Sequence, residues 1–159
     1  GRVAAAPREA RAEAVSIDAH EIVPGLWVGA APESWNALVT SGAVVFCAPF
    51  RHEDLASWPS HPDWRQFPFA DDIQAPTTRE RKIIAEAVAC VVDARRRGKS
   101  AMVFCREGRN RSALVVSLAM RELHPELLPA EIVTMVRRQR DGALSNWYFY
   151  EYVLQGMPG

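Results

Sequence analysis

The chain has 159 residues, 48% of them hydrophobic, and its 19 basic residues balance 19 acidic ones. That is enough for one core and short for two domains, and the charge balance offers no overall attraction to nucleic acid or to an anionic membrane. Cys47, Cys90 and Cys105 are an odd set without a CxxC pair, which argues against a secreted disulfide framework or a zinc site.

Residues 1 to 16, rich in Ala, Arg and Glu, read as an N-terminal extension, at most a frayed helix, ahead of a single domain over 17 to 159. No apolar stretch approaches the roughly 20 residues of a membrane span, and no charged start followed by an apolar core marks a signal peptide, so the expected location is the cytoplasm. In "HEIVPGLWVGAAP" the Pro24-Gly25 turn separates two short apolar runs and predicts a strand pair. "ESWNALVTSG" has helical spacing ending at Gly42, and "AVVFCAP" is the continuous β-branched run of a strand buried on both faces. "DWRQFPFADD" predicts a strand that leaves into an acidic loop. "TTRERKIIAEAVACVVDARRRGK" predicts a long amphipathic helix with Thr77 or Thr78 near its N-cap and Gly98 after it. "SAMVFC" is the next buried strand. "RSALVVSLAMRELH", "LPAEIVTMVRRQR" and "LSNWYFYEYVLQG" then predict three helices. The alternation implies an α/β fold, a central, mostly parallel, twisted sheet with helices on both faces.

"MVFCREGRNRSALVV", Met102 to Val116, falls at the turn from a buried strand into a helix. Ligands of such sheets bind at the carboxyl ends of strands, and a loop running into a helix N-terminus points backbone N–H groups at one spot, which attracts an anion. Cys105 opens that loop, where amides and arginines favour the nucleophilic thiolate. Arg111 closes it with a planar fork of donors suited to phosphate oxygens, and Gly108 permits the curvature that lets the amides converge.

"CREGRNRS", Cys105 to Ser112, matches the C-x5-R-[ST] signature, and with "EIVPGLWVGAAP" and "FPFADDIQAP" the chain from about His20 to Leu154 resembles the cysteine-based protein tyrosine phosphatases, in particular their small, bacterial-type dual-specificity branch. The resemblance implies a phosphomonoester hydrolase, acting on phosphorylated protein at phosphotyrosine and at phosphoserine or phosphothreonine. In that reading Cys105 attacks phosphorus and forms a phosphocysteine. The loop of Arg106, Glu107, Gly108, Arg109, Asn110 and Arg111 holds the phosphoryl oxygens. Ser112 helps the sulfur leave. The acid that protonates the leaving group comes from the upstream acidic loop, with Asp72 favoured by "ADDIQ" and Asp71 the alternative. The implied chemistry needs no metal and no cofactor, since the loop supplies the positive charge. One departure stands out: the family has histidine before the cysteine, and this chain has Phe104.

Each of these residues has a plainer reading. Arg106 and Arg109 are either solvated loop charges or steer an anionic substrate, and Asn110 either supports the loop or merely tolerates a turn. Cys90 reads as an inert helix residue, the four histidines as structural or exposed, and Trp147, Tyr148, Phe149 and Tyr152 as core. Cys47, ending the other buried strand, is either inert or a redox partner of Cys105, as a similar cysteine is in the phosphoinositide branch of the family. A phosphoinositide or RNA 5′-phosphatase would use the same loop. A rhodanese-like sulfurtransferase shares "CRxG" but closes its ring one residue earlier, at the position of Asn110. A silent phosphate-binding module has Phe104 in its favour.

Overall fold

In a computed structural model that describes residues 17 to 157, five strands form one sheet in the order β1-β2-β5-β3-β4. The strands are β1 (Ala19–Val23), β2 (Leu26–Ala30), β3 (Ala43–Phe46), β4 (Trp64–Gln66) and β5 (Ala101–Cys105). The first two make the expected strand pair, which is antiparallel, through a turn in which Gly25 has φ of 85°, and all other pairings are parallel. The helices are α1 (His52–Ser57), α2 (Thr78–Arg96), α3 (Arg111–Leu123), α4 (Pro129–Gln139) and α5 (Trp147–Gln155). The extension over residues 1 to 16 lies outside the described residues.

Strand β5 lies between β2 and β3 and is buried along its whole length, which is why its sequence does not alternate. Its pleat sorts it between two cores. Ala101, Val103 and Cys105 join the apolar faces of α2, α3, α4 and α5. Met102 and Phe104 point the other way, into a cluster with Trp27, Trp35, Phe46 and Trp64. Both faces thus carry helix, unequally: four helices on one, and on the other α1 and a short 3-10 turn over Trp35–Ala37.

That turn corrects the helix expected over "ESWNALVTSG". Ser34 caps it, but Leu38 is already extended, because Trp35 is drawn inward: its backbone N–H donates to Ser57 Oγ (3.0 Å) and its indole N–H to Asp54 Oδ1 (2.9 Å). Tertiary bonding overrides a helical period in a stretch this short. Helix α1, which the sequence reading did not anticipate, starts where Asp54 Oδ2 accepts from the Arg51 N–H (2.7 Å). Helix α2 begins as expected, with a reciprocal capping box: Glu80 N–H to Thr77 Oγ1 at 3.1 Å and Thr77 N–H to Glu80 Oε1 at 2.9 Å.

Candidate active site

Cys105 ends β5 and Arg111 begins α3, so the loop between them sits at the carboxyl end of the central strand, under a helix N-terminus. Cys105 is 2% exposed, and its Sγ lies 3.2 Å from the Oγ of fully buried Ser112. Gly108 has φ of 68°, and a Cβ there would fall 2.6 Å from the Ala30 nitrogen; the loop passes too close to β2 for any side chain. Arg111 donates from Nη1 to the Phe69 carbonyl (3.3 Å), joining the loop to the acidic segment, while its buried Nε–H has no partner.

Two arginines brace the loop from opposite sides. Arg140, 4% exposed after α4, donates from Nε to the Gly108 carbonyl (2.9 Å) and from Nη2 to the Glu107 carbonyl (2.8 Å), and its fork also pairs with Asp18. The Arg140 hydrogen bond holds the Asp18 carboxyl below its ordinary value of 3.8. On the β3 side, Arg106 donates to Asp54 and to the Pro49 carbonyl and lies 4.9 Å over the Phe46 ring. Burial pushes the Asp54 carboxyl up, but the bonds from Arg106, the Arg51 N–H and Trp35 outweigh it and leave it lowered. The Arg106 side chain is thus committed to the Asp54 carboxylate and the Pro49 carbonyl, while its backbone belongs to the loop. Arg109 is exposed and packs against Gly142. Phe104 fills the aromatic cluster, 5.3 Å from Trp35 edge to face, where a polar side chain would need a partner.

Asn110 does more than tolerate a turn. Its Nδ2 donates to Asp71 Oδ2 (3.2 Å), and its Oδ1 accepts from the Asn146 N–H (2.8 Å) and Ser145 Oγ (3.3 Å). Asn146 Nδ2 donates to Asp71 Oδ1 (2.7 Å) and to the Asp72 carbonyl (2.8 Å), while its Oδ1 caps α5. Both carboxylate oxygens of Asp71 are thus held beside the loop. The Asp72 carboxylate bonds instead to its own segment, through the Ile73 N–H (2.7 Å) and Gln74 Nε2 (3.5 Å). Glu80 anchors the same segment by accepting from the Ala70 N–H (3.1 Å). Cys47 follows β3 in a register that pairs Phe46 with Phe104, on the same face as Cys105, and burial pushes its thiol well above its ordinary value of 9.0.

Arg140, Asp18, Asp54 and Asn146 escaped the sequence reading. Asn146 alone carried a signal, as a capping residue before an aromatic helix. Among the described residues no group of His, Cys, Asp and Glu could hold a metal ion, and no helix is long and apolar enough to cross a membrane.

No family model matches the sequence, and no curated protein matches it. Solved structures do. Human DUSP28 is 23% identical, with a TM-score of 0.65 over 86% of this chain and 90% of that one. Tk-PTP in its active form is 21% identical, with a TM-score of 0.63 over 87% and 94%. PTPMT1 in complex with PI(5)P is 16% identical, with a TM-score of 0.59 over 86% and 97%. The chain has the fold of the tyrosine and dual-specificity phosphatases.

Proposed function

We propose that the protein is a phosphomonoester hydrolase of the dual-specificity phosphatase type, acting through a phosphocysteine. One observation carries the reading: Cys105 and Ser112 meet at 3.2 Å at the base of a loop closed by Arg111, whose buried Nε–H is left without a partner. An orphaned buried donor costs about 1–3 kcal/mol, and a phosphoryl oxygen would satisfy it. The loop amides and the Arg111 fork hold the three terminal oxygens. Cys105 Sγ attacks phosphorus, the S–P bond forms as the P–O bond to the leaving group breaks, and the leaving oxygen takes a proton from an aspartic acid.

We assign that proton to Asp71 in place of Asp72, because only the Asp71 carboxyl is held against a residue of the loop. In the second step water attacks phosphorus and gives its proton to Asp71. The S–P bond breaks, Ser112 donates to the departing sulfur, and inorganic phosphate leaves. The substrate is phosphorylated protein, in the cytoplasm. A lipid headgroup is the second reading, favoured by the fold shared with PTPMT1 bound to PI(5)P.

Cys105→Ser tests the assignment. It should abolish turnover of an aryl phosphate and still bind inorganic phosphate by calorimetry, since the amides and Arg111 remain. A parent-like rate removes Cys105 from the chemistry. A persulfide formed from thiosulfate, without phosphatase activity, moves the chain to the sulfurtransferases.

A further inference from the structure

Six large hydrophobic side chains are exposed among the described residues, and three of them, Ile73, Trp147 and Tyr148, gather beside Asp71. They line a cavity of about 370 Å³ whose other walls include Asp71, Asp72 and Asn110 and contain no Lys, Arg or His. Trp147 and Tyr148 form a ridge shared with a second cavity, of about 570 Å³, that runs back to Tyr152 and Met157. The ridge is firmly set: Asn146 Oδ1 caps the helix turn that carries it, and the Trp147 ring packs 5.5 Å from Tyr150. In the second cavity Tyr152 is 9% exposed, and its buried hydroxyl has no hydrogen-bond partner.

We propose that these two cavities form one groove for an extended segment of a phosphoprotein, with Trp147 selecting an apolar residue close to the phosphorylated one. The proposal rests on the phosphatase reading above and narrows its substrate. Whatever is esterified to the phosphate must lie next to the general acid, and the near cavity adjoins Asp71. In the near cavity the Asp72 carboxylate and the proton-carrying Asp71 stand without a cation, which leaves a further phosphate no partner there and disfavours an inositol polyphosphate or a 5′-triphosphate; Arg81 lines only the second cavity. The exposed rings favour apolar surface instead. An extended chain advances about 3.3 Å per residue, so residues next to the phosphorylated one reach across the ridge.

The experiment compares kcat/KM on phosphotyrosyl peptides in a glycine background, with a single leucine scanned through the flanking positions, alongside free phosphotyrosine and vesicles holding a phosphorylated inositol lipid. We expect one leucine position to raise kcat/KM about tenfold over the all-glycine peptide. Trp147→Ala should bring that ratio close to one, and Trp147→Phe, which keeps a ring, should retain most of it. Equal rates at every leucine position, a preference that survives Trp147→Ala, or faster hydrolysis of the lipid than of any peptide overturns the groove. Failure to hydrolyse any phosphomonoester, free phosphotyrosine included, brings down the phosphatase reading and the groove with it.

Discussion

Asp71 gives one carboxylate oxygen to Asn110 and the other to Asn146, while Asp72 accepts from the Ile73 N–H beside it. Two adjacent acids thus acquire different reach, and the kinetics should separate them. Asp71→Asn should slow substrates with poor leaving groups by about 10²–10⁴-fold, spare activated aryl phosphates, and flatten the basic limb of the pH–rate profile. Asp72→Asn should leave that profile in place; the opposite pattern returns the role to Asp72. Cys47 supplies a second thiol beside the nucleophile's strand. It follows β3 where Cys105 ends β5, on the same face, and neighbouring strands lie about 4.8 Å apart, within disulfide reach. Peroxide takes a thiolate to sulfenic acid, and attack by a second thiol then expels water and forms the disulfide. Mild peroxide followed by dithiothreitol should therefore restore activity, with a Cys47–Cys105 linked peptide found by mass spectrometry before reduction. Overoxidised Cys105 beside free Cys47 would show that the two thiols do not pair.

The loop is a short element whose shape is set from outside, and this decides which parts of the site could be read in the sequence. Cysteine, glycine, arginine and serine fall within eight consecutive residues, and their spacing alone reports a strand, a tight turn and a helix start. The braces come from afar. Arg140 lies 32 residues from Gly108 and 122 from Asp18, and Arg106 lies 52 from Asp54; only the order β1-β2-β5-β3-β4 brings them together. The 3-10 turn at Trp35 was hidden for the same reason, since the bonds that hold it come from Asp54 and Ser57. Arg140→Ala should strip two loop carbonyls of their donors and cost about 1–3 kcal/mol in a urea titration. That is less than the loss of a fully buried pair, because Asp18 is 65% exposed. Displacing the loop should lower kcat/KM for aryl phosphate by roughly 10²-fold. Asp18→Asn removes the charge but leaves Arg140 on both carbonyls, and should keep most of the activity. Equal loss in the two variants would mean that the ion pair, not the carbonyl clamp, shapes the loop.

Across the whole molecule, the groups that folding shifts titrate at two ends of the pH scale. Asp18 is held down by the Arg140 hydrogen bond, Asp63 by Lys99 and Glu80 by the Thr77 N–H, each against some burial; in Asp54 burial is the largest influence, and three hydrogen bonds reverse it. All four bind protons more weakly in the folded chain than unfolded, so the unfolded state takes up more protons as acid is added. Their contribution is complete above the ordinary values of 3.8 and 4.5 and is lost as pH falls through the lowered folded ones. At the other end, burial raises Cys47, Cys90 and Tyr152. The unfolded chain then ionises first, and stability falls as pH climbs past the ordinary thiol value of 9.0. Urea midpoints should therefore hold a plateau from about pH 5 to about pH 8 and fall on both sides. Asp54→Asn should flatten part of the acid limb, because it removes a titrating carboxylate while keeping an acceptor for Trp35. Cys47→Ala should flatten part of the alkaline limb, because the thiol that burial keeps protonated is gone. A midpoint that stays level from pH 5 down to pH 2 would mean that these four carboxylates contribute nothing net, and an alkaline limb unchanged by Cys47→Ala would transfer that limb to Cys90 and Tyr152.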